Sequence, residues 1–205
     1  FARVQTLAPT NTSVRLWRDN MEIMTRLRLG DAAGAEKEAL GLQTQFPRDP
    51  GVCEVLAQIY LATGRITNAL ASVERQLALA PADANGLLNK AAIHIQLAQF
   101  AQAIPPLDAL LKLQPQNTPA LLNRAIAHLQ SGNLERAQAD YLALLRFAPD
   151  SPAVHFGLGE IAVRQKDTGA ALTYYGRYLK FGQKGSDEYK AVAQRFEELK
   201  GGGRR

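Results

Sequence analysis

The sequence predicts an all-α fold of stacked, antiparallel helix pairs, and three observations carry that prediction. Pro47, Pro81, Pro115 and Pro149 stand 34 residues apart at every step. Ala35, Ala69, Ala103, Ala137 and Ala171 keep the same interval, and Gly30, Gly64, Ala98 and Gly132 fall at equivalent turns. Between consecutive prolines, apolar residues recur at helical spacing in paired runs separated by a polar break. A fixed period of this length marks a repeat array, in which each unit buries its apolar face against the next.

From the start of the chain, Phe1 to Pro9 parallels Tyr141 to Pro149, so residues 1–12 read as the remnant of a preceding repeat and the chain as part of a longer array. Five repeats are expected over residues 13–183: Ser13 to Pro47, Pro50 to Pro81, Ala84 to Pro115, Thr118 to Pro149 and Pro152 to Gly182. The first carries four extra residues around Trp17, since Pro9 to Gly30 spans 21 residues where Pro47 to Gly64 spans 17. Thr118 to Pro149 shows the plan most plainly. Leu121, Leu122, Ala125, Ile126 and Leu129 make one helical stripe, Ser131, Gly132 and Asn133 interrupt it, and Leu134, Ala137, Tyr141, Leu144 and Leu145 make the next.

Each repeat proline is followed by Asp49, Asp83, Asn117 or Ser151, a residue type that caps a new helix where a ring lacking an N–H has ended the old one. Ala57, Ala91, Ala125 and Gly159 are expected where paired helices cross closely, opposite Ala69, Ala103, Ala137 and Ala171. Gly157 is read the same way, as a close-packing position. Pro105 and Pro106 predict a second helix that starts late, near Gln102, with both rings in its first turn. After Gly182 and Gly185, residues 184–200 predict a capping helix with Tyr189, Val192, Phe196 and Leu199 on one stripe, and residues 201–205 a disordered tail.

Composition narrows the functional classes. No apolar stretch among the 205 residues reaches the ~20 that a membrane span needs. The lone Cys53 excludes an internal disulfide and falls at a position that reads as buried. The net charge of +5 is concentrated towards both ends, without the interleaved aromatic and basic residues of a nucleic-acid surface. No metal-binding, phosphate-loop or nucleophile motif is present, so neither catalytic residues nor a metal or cofactor are expected. His94 and His128, one period apart, and His155 read as packing histidines. Asn11-Thr12-Ser13 matches a glycosylation acceptor, relevant only in a secretory setting. The compartment is left open.

The period, the small residues and the closing prolines resemble the tetratricopeptide repeat family, over about nine tenths of the chain. The resemblance implies a right-handed superhelical solenoid whose first helices line a concave groove that binds a protein or peptide. Asn89 and Asn123, in the near-copies Leu-Leu-Asn-Lys-Ala and Leu-Leu-Asn-Arg-Ala, are the leading groove candidates, with Gln96 and Gln130 two helical turns further along. Both asparagines are similar to the ladder lining the repeats of O-linked N-acetylglucosamine transferases, and an amide that donates and accepts suits a peptide backbone. Solvated surface amides are the alternative. Asn85, Gln58, Glu160 and Arg164 complete the expected partner-binding set. The basic residues that hold a terminal carboxylate in Hsp70 and Hsp90 co-chaperones are missing from the matching positions, so binding of that kind is not expected.

Trp17, Met21 and Met24 form an apolar stripe, read as packing against a preceding repeat or as a self-association surface. The sequence therefore points to a non-catalytic interaction scaffold, with a homo-oligomerisation module and a regulatory arm of a larger enzyme as alternatives.

Overall fold

Proline and glycine punctuate the chain where the period demands, and helices fill the intervals. The computed structural model describes residues 12–202, and these hold eleven α-helices and no strand. In order they are α1 (Thr12–Arg28), α2 (Ala32–Gln45), α3 (Pro50–Ala62), α4 (Ile66–Leu79), α5 (Ala84–Gln96), α6 (Phe100–Leu113), α7 (Thr118–Gln130), α8 (Leu134–Leu145), α9 (Pro152–Arg164), α10 (Thr168–Phe181) and α11 (Asp187–Gly202). Residues 1–11 and 203–205 and the side chains of residues 12–15 and Trp17 lie outside the described parts, and with them the expectations for Pro9, Asn11, Trp17 and the last three tail residues. Gly201 and Gly202, assigned to a tail from sequence, belong to the last helix.

The helix starts follow capping chemistry. Asp49 accepts a hydrogen bond from the Val52 N–H at 3.1 Å, Asp83 from Gly86 at 2.7 Å and Asn117 from Ala120 at 2.9 Å, each satisfying a donor that has no partner inside its helix. Ser151 stands at the equivalent place but makes no such bond. Within each pair the first helix ends in a left-handed residue: Gly30, Gly64, Ala98, Gly132 and Lys166, with φ of 91°, 71°, 55°, 80° and 61°. The next amide then reaches back to the first helix, as Arg65 N–H does to Tyr60 O at 2.8 Å and Asn133 N–H to His128 O at 2.9 Å.

The expected late start of α6 is corrected by the structure. The helix begins at Phe100, and Pro105 and Pro106 stand more than a turn inside it. The two missing N–H groups would have served the carbonyls of Ala101 and Gln102, and both residues are exposed, so the stranded carbonyls belong to the solvent side of the helix. Pro106 uses its ring as a buried apolar side chain.

The chain divides into two compact units, Phe1–Ile93 and His94–Arg205, with the division inside α5. In the first, α1 packs on α2, α2 on α3, α3 on α4, and α1 on α3. Leu16, Ile23, Leu56, Ile59, Val73 and Ile93 anchor its core. Arg65 ties α2 to α4 by a two-pronged ion pair with Glu36, at 2.8 and 2.7 Å, and lies over the Tyr60 ring.

In the second unit each helix from α6 to α11 packs on its successor, and α7 also packs on α9. Arg124 of α7 binds both oxygens of buried Asp140 in α8, at 2.8 and 2.7 Å, and Asp108 in α6 at 2.7 Å. Asp140 foremost, then Asp108, holds the guanidinium well above its ordinary value despite burial. At the end of this unit Tyr175, Tyr178 and Val192 form a core with Phe156, Tyr189 and Phe196 around them, so α11 covers the apolar face of the last pair.

Candidate partner-binding faces

The expected partner-binding residues lie on the first helices of the pairs. In the first unit they lie on α3 and α5. Asn85 and Asn89 stand a turn apart on α5, which places them on one face. Asn85 Nδ2 donates to Glu54 Oε1 of α3 at 3.2 Å, linking the two helices. Asn89 on α5 and Gln58 on α3 are half-buried, and among the described residues neither makes a side-chain hydrogen bond. Lys90, beside Asn89, points away to an ion pair with Glu74 at 3.0 Å. Gln96, in the last turn of α5 and already within the second unit, is exposed.

In the second unit the matching face belongs to α7 and α9. Asn123 is half-buried and Gln130 exposed, again without side-chain bonds among the described residues. Arg164 is the repeat equivalent of Gln130 but is engaged within the fold, where its Nη1 donates to the Leu129 carbonyl and fastens the end of α9 to α7. Glu160 accepts hydrogen bonds from the Tyr175 hydroxyl and from Arg195 Nη1 of α11. Of the expected residues on this face, Asn123 and Gln130 are thus available while Arg164 and Glu160 are engaged. Glu160 also borders an open cleft of about 380 Å³ between α9 and α11, with Phe156, Glu188, Arg195 and Glu198 around it.

Gly157 occupies the position one period after Asn123. A Cβ there would lie 2.5 Å from Tyr141 Cε2 and 2.6 Å from its hydroxyl oxygen, closer than atoms approach. Gly159 meets Tyr175 the same way, with Cδ1 at 2.5 Å. The two glycines therefore make room for tyrosine rings from the second helices α8 and α10, as close packing requires. Burial pushes the Tyr141 phenol up to about 12, and it pushes that of Tyr175 further, with Glu160 adding to the effect.

The remaining expected sites are placed as follows. Met24 packs against the first unit's core and Met21 is half-buried. His94, His128 and His155 are buried; His94 Nδ1 pairs with Gln99 Oε1 at 2.9 Å and His155 Nε2 with the Pro149 carbonyl at 2.8 Å. Cys53 is buried, which pushes its thiol up and away from reactivity. Among the described residues no group of three His, Cys, Asp or Glu side chains could hold a metal, and no helix is long and apolar enough to cross a membrane. Sequence reasoning missed Tyr141 and Arg195 as neighbours of these faces. The signal for Tyr141 was present: down the columns of the period, Val73 and Leu107 give way to the larger Tyr141 where Asn89 and Asn123 give way to Gly157.

Comparison with known proteins agrees with this architecture. No curated protein is significantly similar in sequence. Among solved structures, the chain is similar to PilW, a widely conserved type IV pilus biogenesis factor, with a TM-score of 0.76 and 19% identity over 89% of this chain and 84% of that one. MamA from Desulfovibrio magneticus RS-1 gives a TM-score of 0.76 at 20% identity, over 84% of this chain and 97% of that one. YrrB, a tetratricopeptide repeat protein with an unusual peptide-binding site, gives 0.76 at 12% identity, over 86% and 88%. At such identities the likeness shows the fold alone. A model of the tetratricopeptide repeat matches residues 54–118, 88–152 and 122–187, and the chain belongs to the tetratricopeptide repeat family.

Proposed function

We propose that this chain is a non-catalytic scaffold whose first-helix faces bind an extended segment or a helix of a partner protein. One observation carries the reading. Asn89 and Asn123 hold equivalent positions, are half-buried, and leave their amides without a protein partner among the described residues. A half-buried amide keeps its hydrogen-bonding capacity only if water or a ligand completes it, and an amide can answer both the N–H and the C=O of a peptide. Gln58 and Asn85 extend the polar surface around Asn89, and the exposed Gln96 and Gln130 add further amides at the ends of their helices. Tetratricopeptide repeat proteins are in general non-catalytic scaffolds, and peptide binding by YrrB is in keeping with this use of the fold.

The test is selection from a display library of random dodecapeptides on the full chain, followed by affinity measurement with an enriched peptide. Asn89→Ala is expected to weaken a peptide held on the first unit, and Asn123→Ala one held on the second, each about fivefold, the worth of roughly one hydrogen bond, with the thermal midpoint unchanged. Failure to enrich any peptide, or full affinity in both variants, would overturn the proposal.

A further inference from the structure

The cleft between α9 and α11 lies wholly within the second unit and is open to solvent, and its volume of about 380 Å³ falls within the range of ligand pockets. Its floor is apolar. Phe156 of α9 is half-buried, with its ring held against Tyr178 at a centroid distance of 5.8 Å, and Val192 of α11 belongs to the same cluster. Glu188, Val192, Arg195 and Glu198 follow one another at spacings of four, three and three, so one face of α11 carries all four. Glu188 and Glu198 stand at the two ends of that face, about 15 Å apart along the helix axis.

The one guanidinium in the cleft is already committed. Arg195 Nη1 donates to Glu160 Oε1, which also accepts from the Tyr175 hydroxyl. Glu188 and Glu198 are exposed and join no ion pair among the described residues, although Glu198 accepts a bond from the Gln194 amide at 2.9 Å. Three carboxylates, Glu160, Glu188 and Glu198, against one cation leave the lining with two negative charges, in a chain whose net charge is +5. The helix dipole accounts for Glu188, in the first turn of α11, but not for Glu198, near the end that favours a cation. Among the described residues no three acidic or imidazole side chains converge on a metal, which leaves an organic cation as the complement. An apolar floor between carboxylates suits a side chain that is apolar along its stem and charged at its tip. Arginine meets the need best, because its planar guanidinium stacks on an aromatic ring and engages a carboxylate with two parallel hydrogen bonds.

We infer that this cleft binds an arginine side chain of the partner segment, with the stem on Phe156 and Val192 and the guanidinium on Glu188 or Glu198. The inference rests on the proposed peptide-binding role, and the experiment separates the two. Dodecapeptides enriched on the full chain are scanned by replacing each arginine with citrulline, which keeps the shape and removes the charge. An arginine is expected whose replacement weakens binding to the wild type about fivefold, and costs nothing further in the variant carrying Glu188→Gln and Glu198→Gln. Both substitutions are at exposed positions, so the thermal midpoint is expected to stay put, and binding to the wild type is expected to fall more steeply with salt than binding to the variant. Citrulline effects of equal size in wild type and variant, or enriched peptides in which no arginine matters, would overturn this inference; the proposed function would still stand if Asn89→Ala or Asn123→Ala lost affinity. No enriched peptide would remove both.

Discussion

Two glycines and a histidine set the residue-scale energetics of the second unit. Gly157 and Gly159 lie under Tyr141 and Tyr175 with no space for a methyl group. Gly157→Ala is expected to destabilise the protein by about 1–3 kcal/mol, the range for forcing extra volume into a packed interior, because both ring and backbone are held from several sides. Urea unfolding measures it directly; a change within error would mean that Tyr141 can swing aside. His128 tests the interior differently. It is buried with Nδ1 unpartnered, and burial pushes its imidazole below the ordinary value, with Asp140 pulling the other way and Arg124 and Arg136 reinforcing the shift. Because the folded pKa is lowered, the unfolded chain binds a proton first as pH falls through about 6.5. The stability is intact above that pH and declines below it. Replacing the ring by an uncharged one, as in His128→Phe, is expected to flatten the fall in urea midpoint between about pH 7.5 and 5.5; an equally steep fall would show that other groups govern it. From sequence the burial of His128 could be read, but its missing partner could not, since a hydrogen bond depends on orientation that spacing does not convey.

At the scale of elements, the turns inside the pairs obey one backbone rule with unequal comfort. Gly30, Gly64 and Gly132 adopt the left-handed conformation without a side chain, whereas Ala98 and Lys166 adopt it with a Cβ, at about 1–2 kcal/mol of local strain. Ala98→Gly is therefore expected to raise stability by roughly 0.5–1 kcal/mol after the entropy of the more flexible unfolded chain is subtracted, seen as a higher urea midpoint at constant slope. A lower midpoint would show that the alanine methyl contributes packing worth more than the strain. These turns, and the caps at Asp49, Asp83 and Asn117, were legible because glycine, proline and cap residues act locally. The start of α6 was not. Whether Pro105 and Pro106 can sit deep in a helix depends on whether the carbonyls they strand face water, and that is decided by the neighbouring helices rather than by the segment itself.

Across the molecule, the period conveyed the hairpin plan, the positions of small residues and the covering helix α11, since all three follow from burying one apolar stripe after another. It conveyed the candidate faces less completely. Asn89 and Asn123 fall where periodicity puts them, but Glu160 and Arg164 belong to internal bonds with Tyr175, Arg195 and Leu129 that no single-repeat pattern contains. The fit of Tyr141 over Gly157 crosses the seam between consecutive repeats, and so makes those repeats unequal. Tandem duplication of the 34 residues from Gln116 to Pro149 would set an asparagine, copied from Asn123, beneath Tyr141, where not even a methyl group has room. Repeats that look interchangeable in sequence thus carry a fixed order, and a lineage that lengthened or shuffled this array would have to change the tyrosine and the glycine together.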